Sequence, residues 1–293
     1  IDGEAADDRS GFSVSLSSNG TILAVGAYGN VGNGTDSGHV RVYSWSGSAW
    51  NQLGDDIDGE AAGDYSGGSV SLSSDGATLH VGAFGNGGTA SNAGHVRVYT
   101  WDGSAWTQRG DDIDGEAAND YSGSSVSLSS DGKTVAIGAY GNGGTGNYAG
   151  HVRVYSLSTG TQLGDDIDGE AADDRSGFSV SLSSDGTTLA VGALYNDGEN
   201  GADSGHVRVY SWNGSAWIKL GDDIDGEAAG DESGTSVSLS SDGKTVAIGA
   251  YANNGGASDA GHVRVYSWNG SAWTKLGNDI DGEAADDYSG ASV

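Results

Sequence analysis

The sequence predicts an all-β chain of repeated four-stranded antiparallel sheets. Three observations predict it: one phrase returns every 54 to 57 residues, apolar residues alternate with serines, and Asp-Gly or Asn-Gly pairs stand between the alternating runs. "IDGEAA" begins at Ile1, Ile57, Ile113, Ile167, Ile224 and Ile280, so the spacings are 56, 56, 54, 57 and 56. A fixed period of this length means that each unit is one supersecondary module stacked on its neighbours. The chain therefore reads as repeats 1–56, 57–112, 113–166, 167–223 and 224–279, with the start of a sixth at 280–293.

Within the third repeat, "SVSLSS" (Ser125 to Ser130) alternates Val126 and Leu128 with serines, which is the period of a strand. Asp131 and Gly132 follow, the pair that a two-residue hairpin with positive φ prefers. "KTVAIGAY" (Lys133 to Tyr140) is the second strand, a Gly-rich loop comes next, and "HVRVYS" (His151 to Ser156) alternates again as the third. In the other repeats "WSGSAW", "WDGSAW" or "WNGSAW" turns into a fourth strand such as "AWTKLG" (Ala272 to Gly277). Connections alternate short and long, so both hairpins lie at one end of the strands and both long loops at the other. Length changes follow this pattern: the 54-residue repeat is shortened at its second hairpin, and the 57-residue repeat is lengthened in its long loop, "LYNDGENGADSG".

A four-stranded meander cannot cover both of its faces alone, and radial repetition into a β-propeller is the common solution. "SGFSVSLSSNGTILAVGAYGN" from Ser10, followed by "GHVRVYSW", resembles the FG-GAP repeat of integrin-α-like β-propellers in a divergent microbial form. The family's "FG-x-SV" phrase stands as "SGFSV" at Ser10 and Ser176, and its "GAP" as "GAY", "GAF" or "GAL". The resemblance implies that the strand after "FG" is innermost and that the two long loops form an upper, ligand-facing surface. It places "DDIDGEAAGDYSG" in the loop from strand four to the next strand one. The family norm of seven blades makes five repeats and part of a sixth read as a piece of a longer array. A start without Met and in mid-phrase is read the same way, as an interior piece of a precursor.

Composition narrows the partners. Twelve basic residues stand against 41 acidic ones, for a net charge of −29. Affinity for nucleic acid comes mainly from Lys and Arg neutralising phosphates, so nucleic acid and anionic membranes are not expected partners. No apolar run approaches the roughly 20 residues of a membrane span, so membrane insertion is not expected either. The absence of Cys removes disulfides, thiolate metal sites and Cys nucleophiles.

Calcium is the first cofactor to consider, because oxygen-rich, Gly-bent loops are what this hard cation uses. The resemblance puts the family's calcium loop between strands one and two, where this chain has only "SSDGKT" or "SSNGTI", too short to wrap an ion. The long acidic phrase is the other candidate. It offers Asp58, Glu60 and Asp64; Asp114, Glu116 and Asp120; Asp168, Glu170 and Asp174; and Asp225, Glu227 and Asp231. The same residues also fit turn chemistry, in which Asp accepts bonds from its own loop amides and Glu60 faces an Arg.

His39, His95, His151, His206 and His262 each open "HVRVY" and are expected to be hydrogen-bonded structural residues rather than one shared metal ring. Arg41, Arg97, Arg153, Arg208 and Arg264 lie two residues on, on the same strand face, and are expected to answer the acidic loops. Trp45 with Trp50, Trp101 with Trp106, Trp212 with Trp217 and Trp268 with Trp273 flank the second hairpin, as cross-strand pairs or as a glycan-stacking surface. Asn19, Asn33, Asn213 and Asn269 stand in glycosylation-type sequons, three of which the hairpins explain without a sugar.

Near-identity of the repeats argues against an enzyme, since an active site requires residues that differ from unit to unit. "SSDGKT" also lacks the Ser-x-Asp-x-Gly spacing of sialidase Asp-boxes. The sequence thus predicts a non-catalytic extracellular or cell-surface propeller, a structural scaffold and adhesion or recognition module that binds protein or glycan by avidity. Two alternatives accompany it: a building block of a filament or surface layer made of copies of itself, and an accessory glycan-binding domain of a larger secreted enzyme.

Overall fold

The alternation of "SVSL", "ILAVGA" and "HVRVYSW" produces strands at each predicted place. The computed structural model describes residues 1–293, all in strands and turns with no helix. In the first repeat β1 (Ser13–Leu16), β2 (Ile22–Ala27), β3 (His39–Trp45) and β4 (Trp50–Gln52) form an antiparallel sheet in that order. A short β5 (Ile57–Asp58) also pairs with β3, His39 opposite Asp58 and Val40 opposite Ile57. β6 (Ser66–Leu72), β7 (Thr78–Ala83), β8 (His95–Trp101), β9 (Trp106–Gln108) and β10 (Ile113–Asp114) repeat the arrangement. The "ID" of each acidic phrase is therefore not loop. It completes the outer edge of the preceding sheet.

The fourth strand is broken because Gly54 takes φ +81°, a conformation that L residues avoid. Across the break the ladder survives in one bond, from Leu53 N to Val42 O at 2.7 Å. The acidic pair Asp55 and Asp56 is pushed out between β4 and β5.

Two units make up the chain, Ile1–Ala139 and Tyr140–Val293. The first holds the two sheets just described and the hairpin of Ser125–Leu128 with Thr134–Ala139. The second holds His151–Ser156 with its partners Thr161–Gln162 and Ile167–Asp168. It also holds the sheets that begin at Ser179–Leu182 and Ser236–Leu239.

In each unit the apolar core lies between consecutive sheets. Ala24, Val40, Val42 and Ile57 of the first sheet pack on Val70, Leu72, Leu79 and Val81 of the second. Ala190, Val207, Val209 and Ile224 pack in the same way on Val237, Val246 and Ile248. Each fully buried Val or Leu contributes roughly 1.5–3 kcal/mol. Val70 and Leu72 are 9% and 7% exposed, whereas Val14 and Leu16, at the same positions of the first repeat, are 60% and 56% exposed. Burial is thus supplied by the neighbouring sheet, not by the strand's own.

Serines recur in "SVSL" because they join successive first strands. Leu72 N donates to Ser15 Oγ at 2.9 Å, Leu128 N to Ser71 Oγ at 3.1 Å and Leu239 N to Ser181 Oγ at 2.9 Å. Ser69 Oγ donates to Gly123 O at 2.8 Å, and Ser179 Oγ to Gly234 O at 2.7 Å. The strands approach so closely that a Cβ on Gly82 would sit 2.1 Å from Gly123 O, which explains the glycine in every "GA" phrase.

One residue breaks the pattern. His80 stands where the other repeats have Ala24, Ala136, Ala190 and Ala247. It is fully buried, and neither ring nitrogen has a hydrogen-bond partner. Burial, aided by the nearby Arg109 charge, pushes its pKa from 6.5 down to about 3. The folded state therefore holds His80 neutral while the unfolded chain protonates it below 6.5. Stability present above that pH is lost as pH falls toward about 3, at about 1.4 kcal/mol per unit. Urea unfolding at stepped pH is expected to show that His80→Ala has a flatter acid limb than the parent. An identical slope in the two proteins would refute the assignment.

Candidate functional site

The broken fourth strand brings three side chains of each repeat together at the long-loop end. His39 opens β3, Asp56 protrudes from the break between β4 and β5, and Glu4 comes from the repeat's own acidic phrase. His39 Nδ1 lies 3.7 Å from Asp56 Oδ2 and 3.9 Å from Glu4 Oε2. The trio recurs as Glu60, His95 and Asp112, as Glu170, His206 and Asp223, and as Glu227, His262 and Asp279, with one ligand-type atom from each residue within 4.8 Å of the others. His95 Nδ1 is 3.3 Å from Asp112 Oδ2, and His151 Nδ1 is 3.7 Å from Asp166 Oδ2. The histidines meet carboxylates, not one another.

These imidazoles are almost wholly buried, and the Nε2 atoms of His39, His95, His206 and His262 have no hydrogen-bond partner. Burial is the largest influence on His95, His206 and His262 and lowers all three pKa values, that of His206 to about 4. The neighbouring arginine lowers them further, and the facing Asp opposes both. At neutral pH the rings of His95, His206 and His262 are uncharged, and their pairs with Asp are contacts rather than ion pairs.

The arginines answer the acidic phrase as expected, by clamping one sheet to the edge of the one before. Arg97 Nη2 donates to Asp58 O at 2.7 Å, Arg208 Nη2 to Asp168 O at 2.8 Å, and Arg264 Nη2 to Asp225 O at 2.7 Å. The same guanidinium groups reach Glu60, Glu170 and Glu227 at 3.9, 3.2 and 3.4 Å.

The carboxylates singled out from sequence divide into three roles. Asp64, Asp120, Asp174 and Asp231 are buried and hold their own turns. Asp64 Oδ2 accepts from Glu60 N and Ala61 N at 3.0 and 2.8 Å, and Asp120 Oδ2 accepts from Glu116 N and Ala117 N at 3.1 and 2.8 Å. Asp174 Oδ2 accepts from Ala171 N and Asn196 Nδ2. Asp58, Asp114, Asp168 and Asp225 lie in the short edge strands. Glu60, Glu170 and Glu227 join the His–Asp trios instead of the Asp residues of their own phrase.

The tryptophans hold sheets together. Each pair is tilted, with ring centroids 5.4 Å apart for Trp45 and Trp50 and 5.5 Å for the other three. Trp106, Trp217 and Trp273 donate through Nε1 to Leu53, Leu163 and Leu220 O of the preceding sheet, at 3.0, 3.0 and 2.8 Å. In the hairpins, Asn213 and Asn269 accept from their own turn amides.

One repeat differs from the rest. In the fourth, the lengthened loop adds Asp197 and Glu199 beside the trio, and a cleft of ≈ 570 Å³ opens there. Glu170, Asp197, Glu199, Asp222, Asp223 and Asp225 line it, with His206, Asn196 and Lys219. Asp197 Oδ1 accepts from Asp203 N at 2.9 Å and so shapes the loop. Burial first, and then the charges of Asp223 and Glu199, raise the Asp225 pKa, against the opposing charge of Lys219. Sequence reasoning passed over the second Asp of "GDD", although it stands in every copy, because only the strand break turns it toward the His.

Residues 167–210 match the FG-GAP repeat family. No curated protein matches this chain. Among solved structures, the Pseudomonas aeruginosa periplasmic gluconolactonase superposes with a TM-score of 0.61 at 16% identity, over 94% of this chain and 73% of that one. A Bacteroides uniformis chain assigned as a 6-phosphogluconolactonase gives 0.55 at 12% identity, over 92% and 85%. Kuenenia stuttgartiensis hydrazine synthase gives 0.54 at 15% identity over 87% of this chain, which spans 64% of that one. These likenesses establish the β-propeller fold. No helix is long and apolar enough to cross a membrane.

The expectation of a non-catalytic scaffold is corrected here. One of these proteins of the same fold is a gluconolactonase and another is assigned as a 6-phosphogluconolactonase, so a propeller of repeated sheets does not exclude catalysis. The adhesion, surface-layer and accessory-domain readings lose their premise with it. Its physical basis also fails, because the fourth repeat carries acidic groups that its sister repeats lack at that loop.

Replacing a turn-holding Asp tests the division of roles among the carboxylates. Asp231 Oδ2 accepts from Glu227 N, Ala228 N and Asn253 Nδ2 at 3.1, 2.9 and 3.0 Å. Asp231→Ala is expected to lower unfolding stability in urea by roughly 1–3 kcal/mol. Unchanged stability would show that Asp231 does not hold its turn.

Proposed function

We propose that the fourth-repeat cleft is the functional site and that it binds a neutral, hydroxyl-rich ligand of the sugar-lactone class and hydrolyses it outside the cytoplasm. The observation that carries this reading is a cleft lined by six carboxylates and one lysine, in which Asp197 and Glu199 come from the loop lengthened in this repeat. Carboxylates accept hydrogen bonds from hydroxyl groups, and each can accept several. They also repel a phosphorylated ligand, since like charges juxtaposed cost several kcal/mol. Glu199, exposed on the lengthened loop, is placed as the base. It takes a proton from water as the water oxygen bonds to the lactone carbonyl carbon; the ring C–O bond then breaks, and the leaving oxygen is protonated, giving the hydroxy acid. The fold shared with a periplasmic gluconolactonase and the strongly acidic composition support the substrate class and the setting.

Proton release from glucono-δ-lactone and from its 6-phosphate, followed against buffer alone, tests the reading. The neutral lactone is expected to be hydrolysed above the buffer rate and faster than the phosphorylated one, and Glu199→Gln is expected to lose about tenfold or more. Hydrolysis no faster than in buffer would end this proposal.

A further inference from the structure

The Glu–His–Asp trio has the character of a built site, because its carboxylates are held from behind, and where the second oxygen is placed it faces the ring. Asp56 and Asp112 accept through Oδ1 from Gln52 and Gln108 Nε2, at 2.7 and 2.6 Å, and turn Oδ2 toward His39 and His95. Lys219 and Lys275 contact Oδ1 of Asp223 and Asp279 in the same place. On the other side Arg41 contacts Glu4 Oε1, leaving Oε2 toward His39. Carboxylates oriented by a second partner around a buried imidazole are what a metal centre requires of the groups behind its ligands.

We propose that Glu170, His206 and Asp223 hold a divalent transition-metal ion of the zinc class at the floor of the fourth-repeat cleft. His206 is only 2% exposed, and in the equivalent trios it is the Nδ1 edge of the ring that faces the carboxylates, as in His39 and His95. Three ligands on one zinc ion lie about 3.4 Å apart, given bonds of about 2.0–2.1 Å, so the present spacing of up to 4.8 Å closes by small side-chain rotations. An imidazole donor favours zinc over calcium, which takes oxygen alone. Three protein ligands leave a fourth position open toward the cleft, the arrangement of ions that activate water or polarise a carbonyl. The acidic loop distinguishes this trio from those of the other repeats: Asp197 and Glu199 add negative charge that draws a cation in, beside the charges of Arg208 and Lys219, which hold the trio's carboxylates from behind.

This inference deepens the reading of the cleft as the functional site and does not depend on lactone turnover. Calorimetric titration of the whole chain with zinc, with calcium as the comparison ion, reads binding directly. Cobalt substitution reads the ligand set through its absorption spectrum. One tight zinc site per chain is expected, with cobalt bands of a four-coordinate nitrogen and oxygen site. His206→Ala and Asp223→Asn are each expected to weaken zinc binding about tenfold or more. Asp223→Asn keeps side-chain shape and guards against loss through misfolding, checked by circular dichroism. Zinc binding unaffected by Asp223→Asn in a folded chain, or calcium bound more tightly than zinc, overturns the proposal. Zinc bound without hydrolysis of lactone would leave the metal site standing and remove the proposed activity.

Discussion

Contact between consecutive sheets is the constraint on which the rest of the structure depends. Val70 and Leu72 are buried only because the first sheet lies against them, and Val14 and Leu16 show what these positions become without such cover. The glycines of the second strands, the serines of the first strands and the arginines of the third all serve this contact. Gly82 lets the backbones approach, Ser69 and Ser71 bond across the gap, and Arg97 ties the second sheet to the last residue of β5. The most uniform residues of the repeat are thus those with partners in two sheets at once.

That contact also creates the trios. Glu170 belongs to the acidic phrase that follows the edge strand Ile167–Asp168 of one sheet, whereas His206 and Asp223 belong to the next. Arg208 reaches across the same seam, and its grip on Asp168 and Glu170 fixes the position of that phrase. A group of chemically active side chains therefore rests on the interaction that stabilises the fold. Removing Arg208 would disturb both.

Much of this was legible in the sequence. The period of "IDGEAA" gives the repeat, the alternation of "HVRVY" puts His and Arg on one face, and the scarcity of cations points the arginines at the acidic phrase. The strand break at Gly54 was not legible, because a Gly before two Asp residues reads equally as the start of a loop. With it was lost the partnership of Asp56 and His39, residues 17 positions apart in sequence that meet only when β4 and β5 share one neighbour. The three carboxylates of one phrase read as a single group, yet they separate in space: Asp64 turns into its own loop while Glu60 turns outward toward Arg97. Spacing along the chain cannot distinguish those directions.

Repetition has a further consequence for where chemistry can arise. A substitution in "SVSL" or "HVRVY" alters two sheet contacts, so those segments stay alike among the repeats. The loop between the second and third strands tolerates an extra residue in the fourth repeat, since lengthening a surface loop costs little chain entropy. The fourth repeat uses that freedom to set Asp197 and Glu199 beside a trio whose geometry is already held from behind. The two added carboxylates raise the local negative charge of the cleft. A functional site in such a chain requires only that one repeat depart from the others where the loop is free, at a place where the shared contact has already aligned a buried imidazole with two carboxylates.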